Sequence, residues 1–449
     1  MEQKKAVNIF EQESFRKTYF TLAVPVTMGM LFSVVYNIAD TYFIARTQNT
    51  GLVAGVSLCA PVFTFLMAFG NIFGQGGTSL LSRLFGKKDM EGTKRVSSFC
   101  FYAAIATGAV LGLLMLLLHR PLLFLLGADK ETYQYALPYY MTLAAGAPLV
   151  VLNYIHMNLL RAEGMSKESM AGNITGLVVN IILDPIFISG FGWGSFGAAL
   201  ATVIGYTVSV VIWAVIVKKK SRILSMDPKI CLIPAGEMTE IFTIGFSAAL
   251  TNITTSICMI VTNQYLLPYG NDQIAALGVA LKVSMVINLI LVGMSFGAAP
   301  MIGYYYGGRK YEDLKRFLRF LFTLVGGTAV VMTVVLFVLS DFAIGLFLKE
   351  PALISAGSYM LRWHIVTMAA AAGVLIITIC FQAMGKAKEA LLVSVCRQGI
   401  VYIVVIVVLA KLAGYHGIAA AQAAADILTL VLTGWLFLKR ILSELQTRP

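Results

Sequence analysis

Apolar runs long enough to cross a lipid bilayer recur from one end of this 449-residue chain to the other, and no other feature of the sequence constrains the fold as strongly. A ~30 Å hydrocarbon core requires roughly 20 apolar residues in helical form. Twelve such runs are read, over 17–44, 51–82, 96–118, 134–160, 168–189, 194–217, 239–267, 273–305, 317–339, 354–382, 389–410 and 416–438. Inside lipid every backbone N–H and C=O must bond within its own segment, so each run is expected as a helix. Hydrophobic residues are 58% of the chain and charged ones 12%, against roughly 25% charged in soluble domains. A soluble class is thereby excluded.

The opening stretch, "MEQKKAVNIFEQESFRK", is mixed in charge, and the run behind it is too long for a signal peptide's core and lacks a small-residue cleavage site. The first helix is therefore expected to stay. Twelve spans place both termini on one side, where the loops hold 26 Lys and Arg against 5 on the other side. By the positive-inside rule the termini are cytoplasmic, and the protein is expected as a multi-pass component of the plasma (inner) membrane. The same bias accounts for the net charge of +12, so no nucleic-acid partner is needed. Six cysteines lack paired spacing and five of them fall in predicted spans, as buried small hydrophobes do.

The longest polar break among the helices, "KKKSRILSMDPKICLIPAGEMTE" at 218–240, lies near the middle. A shift of 221 residues pairs Gly76 with Gly297, Gly86 with Gly307, Glu91 with Glu312, Lys94 with Lys315 and Arg95 with Arg316. Without a gap it also pairs Gly164, Lys167 and Glu168 with Gly385, Lys388 and Glu389. The expectation is an all-α integral membrane protein with twelve transmembrane helices in two pseudo-symmetric six-helix lobes around a central cavity. The lobes are read as 1–217 and 239–449, joined by a cytoplasmic linker over 218–238. Six helices per half make the repeats parallel, and transporters built from repeats bind substrate between them.

Ionisable groups at membrane depth cost about 2.5 to 3.5 kcal/mol on insertion scales and usually mark a pathway, a pairing or a relay. The first half has Asp40, in "VYNIADTYFIAR", and Asp184, in "NIILDPIFISG"; the second has Lys282, Arg362, His364, Arg397 and Asp426. Asp40, Asp184 and Thr202 share one depth, within roughly five to eight residues of the outer ends of their helices at ~1.5 Å per residue. Asn37 and Asn180 lie one turn from their carboxylates on the same helical faces. Pro185 has no N–H, so the carbonyl of Ile181 loses its helical partner. The set of carboxylates, amides, a hydroxyl and a loose carbonyl suits a hard cation such as Na⁺. It suits a proton equally, since two close carboxylates in low dielectric share one readily. Polar cross-bracing between helices is the plainer alternative. The 221-residue shift places Asn180, Asp184 and Thr202 on Val401, Val405 and Ala423, and a shift of two more places Asp40 on Asn263, so the acidic site belongs to the first lobe alone.

Over nearly its whole length the chain resembles the multidrug and toxic compound extrusion (MATE) family. The residues that carry the resemblance are "NIADTYFIAR", "GQGGTSLLSRLFGKKD" and "LRAEGMSKESMAGNITGLVVNIILDPIFI"; Ala45 departs from a common glycine. The resemblance implies a secondary antiporter that expels cationic or amphipathic compounds while Na⁺ or H⁺ enters, without a cofactor. It further implies that Asp40, Asn180, Asp184 and Thr202 form a first-lobe cation site. Pro25, in "TLAVPVTMGM", is similar to the family's first-helix proline; from the residues alone it frees the carbonyl of Thr21 and favours a kink.

The partners expected are small-molecule substrates, mainly organic cations, and the lipid bilayer, with the monomer as the working unit. Tyr36, Met28, Asn153, Met157, Met259 and Met285 are candidates for an aromatic and methionine-rich cavity wall, although methionines at helical spacing more often pack a core. Lys282, Arg397 and Asp426 read as a charge pair locking helices, with a second coupling site as the alternative. Arg362 and His364 are placed near a helix end, where snorkelling relieves them. Rival readings are a lipid or lipid-linked oligosaccharide flippase, which should need more cationic residues, and a major facilitator type carrier, of whose loop "RLFGKKDMEGTKR" is a faint echo. An enzyme is not expected: the chain holds no His-Glu-x-x-His, paired metal cluster or nucleophile elbow.

Overall fold

The computed structural model describes residues 8–11 and 14–447, and the remaining residues of the opening stretch lie outside this range. Within it the chain is nearly all helical, with the linker between the sixth and seventh spans as the longest exception, as backbone self-satisfaction in lipid demands of the spans. The first six spans are α1 (Phe15–Arg46), α2 (Thr50–Gly86), α3 (Met90–Leu117), α4 (Lys130–Ala145 with Ala147–Ala162), α5 (Ser166–Gly190) and α6 (Gly194–Lys220). The second six are α7 (Ala235–Tyr269), α8 (Asn271–Gly307), α9 (Tyr311–Val338), α10 (Pro351–Ile365 with Met368–Ala383), α11 (387–413) and α12 (415–437). Gly414 separates the last two: its φ of 54° and ψ of −129° break a helical run that otherwise reads as one. Most spans run a few residues past the apolar stretches because their charged end turns stay helical outside the hydrocarbon.

The breaks are chemical. Pro148 removes the N–H that Ala144 would receive, and α4 bends by 55° at Gly146. Asp129 and Thr132 cap the start of α4 reciprocally, Asp129 accepting the Thr132 N–H at 2.7 Å and Thr132 Oγ1 accepting the Asp129 N–H at 3.0 Å. The polar linker is tied down rather than loose: Ser97 Oγ donates to the Ser225 carbonyl at 3.0 Å and Glu163 accepts the Arg222 N–H at 3.0 Å.

The internal repeat is geometric as well as sequential. Gly164 and Gly385, 221 residues apart, both turn with positive φ, 91° and 77°. Lys88 and Arg309, equally spaced, do so at 62° and 57°. The bend of α4 at 146 recurs in α10 at 367, where it is 43°. The symmetry is plainest where α2 crosses α8 on the side of the termini. A Cβ on Gly86 would meet the Tyr304 carbonyl at 2.1 Å, and one on Gly307 would meet the Arg83 carbonyl at 2.2 Å. Each contact is the other's image under the 221-residue shift, so a pseudo-two-fold axis passes between the two backbones.

That same face is closed. Arg83 of α2 pairs with Glu240 of α7, and Ser79 donates to the Gln382 carbonyl of α10. Glu11 accepts from the Tyr304 hydroxyl at 2.8 Å and from Lys310 at 3.2 Å, while Phe10 stacks on Tyr304 at 4.8 Å. Toward the opposite face α1 exposes Met28, Val35, Ile38 and Tyr42. All six cysteines are free thiols, four of them buried.

Candidate cation site in the first lobe

Asp184 stands near the end of α5, where Pro185 ends regular hydrogen bonding and the chain continues as a wide π-turn over Ile186–Gly190. Such turns inside helices are rare and concentrate at functional sites. The side chain is 0% exposed and neither carboxyl oxygen meets a hydrogen-bond donor among the described residues. What they do reach is the carboxyl of Asp40, which α1 brings within hydrogen-bonding range. An isolated carboxylate taken out of water without donors is strongly unfavourable, so this pair calls for a positive charge between its oxygens.

One turn down α5, Asn180 donates to the Thr202 hydroxyl of α6 at 3.1 Å, and Thr202 donates to the Ala198 carbonyl at 3.0 Å. With its amide hydrogen so committed, Asn180 leaves Oδ1 buried and unpaired. A cavity of about 10 Å³, lined by Tyr36, Asn180, Thr202 and Tyr206 among others, adjoins them and is about the size of one water or small cation. The structure thus brings together Asp40, Asn180, Asp184, Thr202 and Tyr36. Small residues permit the approach: the ideal Cβ position on Gly205 lies 3.1 Å from the Asn180 Cβ.

Other expected members stand apart. Asn37 is exposed and its amide donates to the Ser33 carbonyl of its own helix at 2.7 Å, so it contributes nothing to the pair. Met28 is on an exposed face of α1, Met157 is packed into the core, and Asn153 is buried with its Oδ1 unpaired. Met259 and Met285 line a different cavity, in the second lobe. Pro25 is buried within an α1 that continues helically through it.

Residues beyond those expected surround the acids. Tyr139 of α4 lies near enough to both carboxyls to feel their charge, and Tyr206 shares the wall of the small cavity with Tyr36 and lies near Tyr154. Tyr206 sits four residues beyond Thr202, on the same face of α6, which is the spacing that signals it.

In the second lobe, Arg397 and Asp426 approach to 4.0 Å, and Asp426 also accepts from Gln422 at 3.1 Å and Thr367 at 3.3 Å. Lys282 does not join them. Arg362 pairs with Asp341 at 2.8 Å, and His364, also in the last turn before the break of α10, lines the second-lobe cavity.

Two lobes of six helices, related by a pseudo-two-fold axis and carrying a bare carboxyl pair in one of them, define a class of helical membrane carrier. The profile of the MatE family matches the chain twice, over 25–186 and 247–408, and the chain belongs to that family. A protein of Staphylococcus saprophyticus described as "Multidrug export protein MepA" is 32% identical over 409 residues, which are 91% of this chain and 90% of the relative. The Staphylococcus aureus protein of the same description is 31% identical over the same shares. Among solved structures, one described as MATE in complex with MaL6 superposes with a TM-score of 0.92 at 22% identity, over 98% of this chain and 99% of that one. MATE structures in a straight and in a bent conformation both reach 0.91 at 23% identity, over 98% of this chain and 99% and 98% of theirs.

Proposed function

We propose that the chain is a secondary antiporter that exports cationic or amphipathic organic compounds in exchange for inward Na⁺ or H⁺. The observation that carries the reading is Asp184, buried, without a donor, and facing Asp40. The descriptions of the staphylococcal relatives support the export of drugs. The lobes, 1–217 and 239–449 joined by 218–238, are the moving bodies. Both termini lie in the cytoplasm and the monomer in the plasma membrane is the working unit, with no cofactor beyond the coupling ion. In that orientation the closed face is cytoplasmic, and the conformation described is the outward-facing one.

An incoming cation binds between Asp40 and Asp184, with Asn180 Oδ1 and the Thr202 hydroxyl as further oxygens. For H⁺ coupling, the same two carboxyls share the proton. Neutralising the pair removes the negative charge that holds an organic cation, and the drug leaves outward. The tyrosines about the acids supply faces on which a flat cation rests. Each charge entering through 100 mV supplies ~2.3 kcal/mol, enough to drive a modest gradient of drug.

The test is ethidium efflux by wild type and Asp184→Asn under separately imposed Na⁺ and H⁺ gradients. Efflux by the wild type that follows one gradient, and at least a tenfold loss in the variant at equal expression, is the expected result; it also names the ion. Efflux untouched by the substitution reduces Asp184 to cross-bracing, and no efflux by well-folded wild type overturns the export reading.

A further inference from the structure

The second lobe contains a cavity of about 400 Å³, within the range of sites that enclose drug-sized molecules. Its wall is largely apolar and deformable, with Met259, Met285, Met360 and Leu281, and Tyr402 and Thr262 share a 2.6 Å hydrogen bond at its edge. Methionine walls of this kind adapt to ligands of varied shape.

The charges of this cavity are opposite to those of the first lobe. Lys282 projects from α8 as a lining residue and, among the described residues, its Nζ has neither an ion-pair nor a hydrogen-bond partner. Asp426, which accepts from the lining residue Gln422, is also engaged by Arg397 and Thr367. His364, a second lining residue, lies near the charge of Arg397. Arg397 stands against Asp426 at 4.0 Å, whereas Lys282, an exposed side chain on the wall of a largely apolar cavity, has no such partner among the described residues. The residues that stand where the first lobe has Asn180, Asp184 and Thr202 are Val401, Val405 and Ala423, none of them charged.

We infer that the second-lobe cavity is a binding site for the anionic end of amphipathic compounds, with Lys282 pairing a carboxylate while the methionines take the ring system. The inference rests on the proposed export role for its purpose. It extends that role from simple organic cations to zwitterions, whose carboxylate end the first-lobe acids do not pair. An ion pair with a carboxylate in such a wall also benefits from charge-assisted hydrogen bonding.

A matched pair of probes isolates the carboxylate: a rhodamine with a free carboxyl, zwitterionic at neutral pH, and its ethyl ester, a simple cation. Binding of each to the full chain in phosphatidylcholine nanodiscs is followed by fluorescence anisotropy for wild type, Lys282→Met and Lys282→Arg. The expected result is that Lys282→Met weakens the free acid by about tenfold. The ester should stay within about twofold, which also reports that the variant is folded, and Lys282→Arg should restore the acid. An unchanged affinity for the acid in Lys282→Met, or an equal loss for both probes, overturns the inference. Vesicle efflux of the ester by wild type separates the two readings. If it is absent while acid binding still depends on Lys282, export fails and the anion site stands; if it is present without that dependence, the anion site fails and export stands.

Discussion

The most telling residue is one with nothing to hold. Buried carboxylates in folded proteins normally collect donors, and among the described residues Asp184 has only the carboxyl of Asp40. Its neighbours differ in weight. The Asn180 to Thr202 hydrogen bond fixes the amide and leaves its Oδ1 without a partner among the described residues; a bond of this kind contributes about 1 kcal/mol. Thr202→Val is therefore expected to lower apparent affinity for the coupling ion by about fivefold while leaving expression intact, as read by the ion dependence of efflux. Asn37→Ala should leave the same curve within about twofold, because Asn37 serves only its own helix. Sequence reasoning placed Asp40, Asp184 and Thr202 at one depth, with Asn180 a turn from Asp184, because depth along a helix follows from counting residues. It misplaced Asn37 because azimuth around the helix is set by packing: three residues turn about 300° and four about 40°, so Asn37 and Tyr36 depart from Asp40 to opposite sides. Packing from other helices brought in Tyr139 and Tyr154, and no spacing within one run announces such partners.

At the scale of the element, breaks carry the information. Pro185 and Pro148 disclose their distortions in the sequence because proline lacks the donor the helix needs. The bend of α10 at 367 has no proline beneath it and was legible only through the repeat, as the partner of 146. Gly414 is the least forgiving of these joints. A side chain there would occupy a backbone conformation that L residues avoid, and its Cβ would lie 2.9 Å from the Tyr269 hydroxyl. Gly414→Ala is expected to destabilise the protein by about 1 to 3 kcal/mol, visible as a lower midpoint in a thermal unfolding assay in detergent. Gly434→Ala, in a helical stretch of α12 with open space around it, should be neutral or slightly stabilising in the same assay.

For the molecule as a whole, the closed terminal face is a set of contacts that must part if the lobes rock. Gly86→Leu would drive a side chain into the Tyr304 carbonyl. It is expected to lengthen spin-label distances between the ends of α2 and α8 on that face, at equal expression. Glu11 adds a dependence on acidity. Burial raises its carboxyl, but the Tyr304 hydroxyl and the charges of Lys310 and Lys88 outweigh this and hold it below its ordinary value of 4.5. A carboxylate lowered in this way stabilises the contact fully above 4.5 and loses that contribution as pH falls through the depressed value. Spin labels spanning the starts of α1 and α9 should therefore separate on acidification below 4.5, and Glu11→Gln should show the wider distance already at neutral pH. The two-lobed plan itself was readable from a 221-residue self-match. The state of its gate was not, because closure depends on backbones meeting across the axis at Gly86 and Gly307.

Asp184's unaccompanied oxygens also bear on thrift. An antiporter leaks when its empty form reorients, since gradient then runs down with nothing exported. With neither cation nor drug at hand, this lobe would have to carry a naked buried carboxylate through the sealed intermediate that separates the two faces. On the exchange mechanism proposed above, stranding that species would make idle cycling slow, and strict exchange would follow from a missing hydrogen bond.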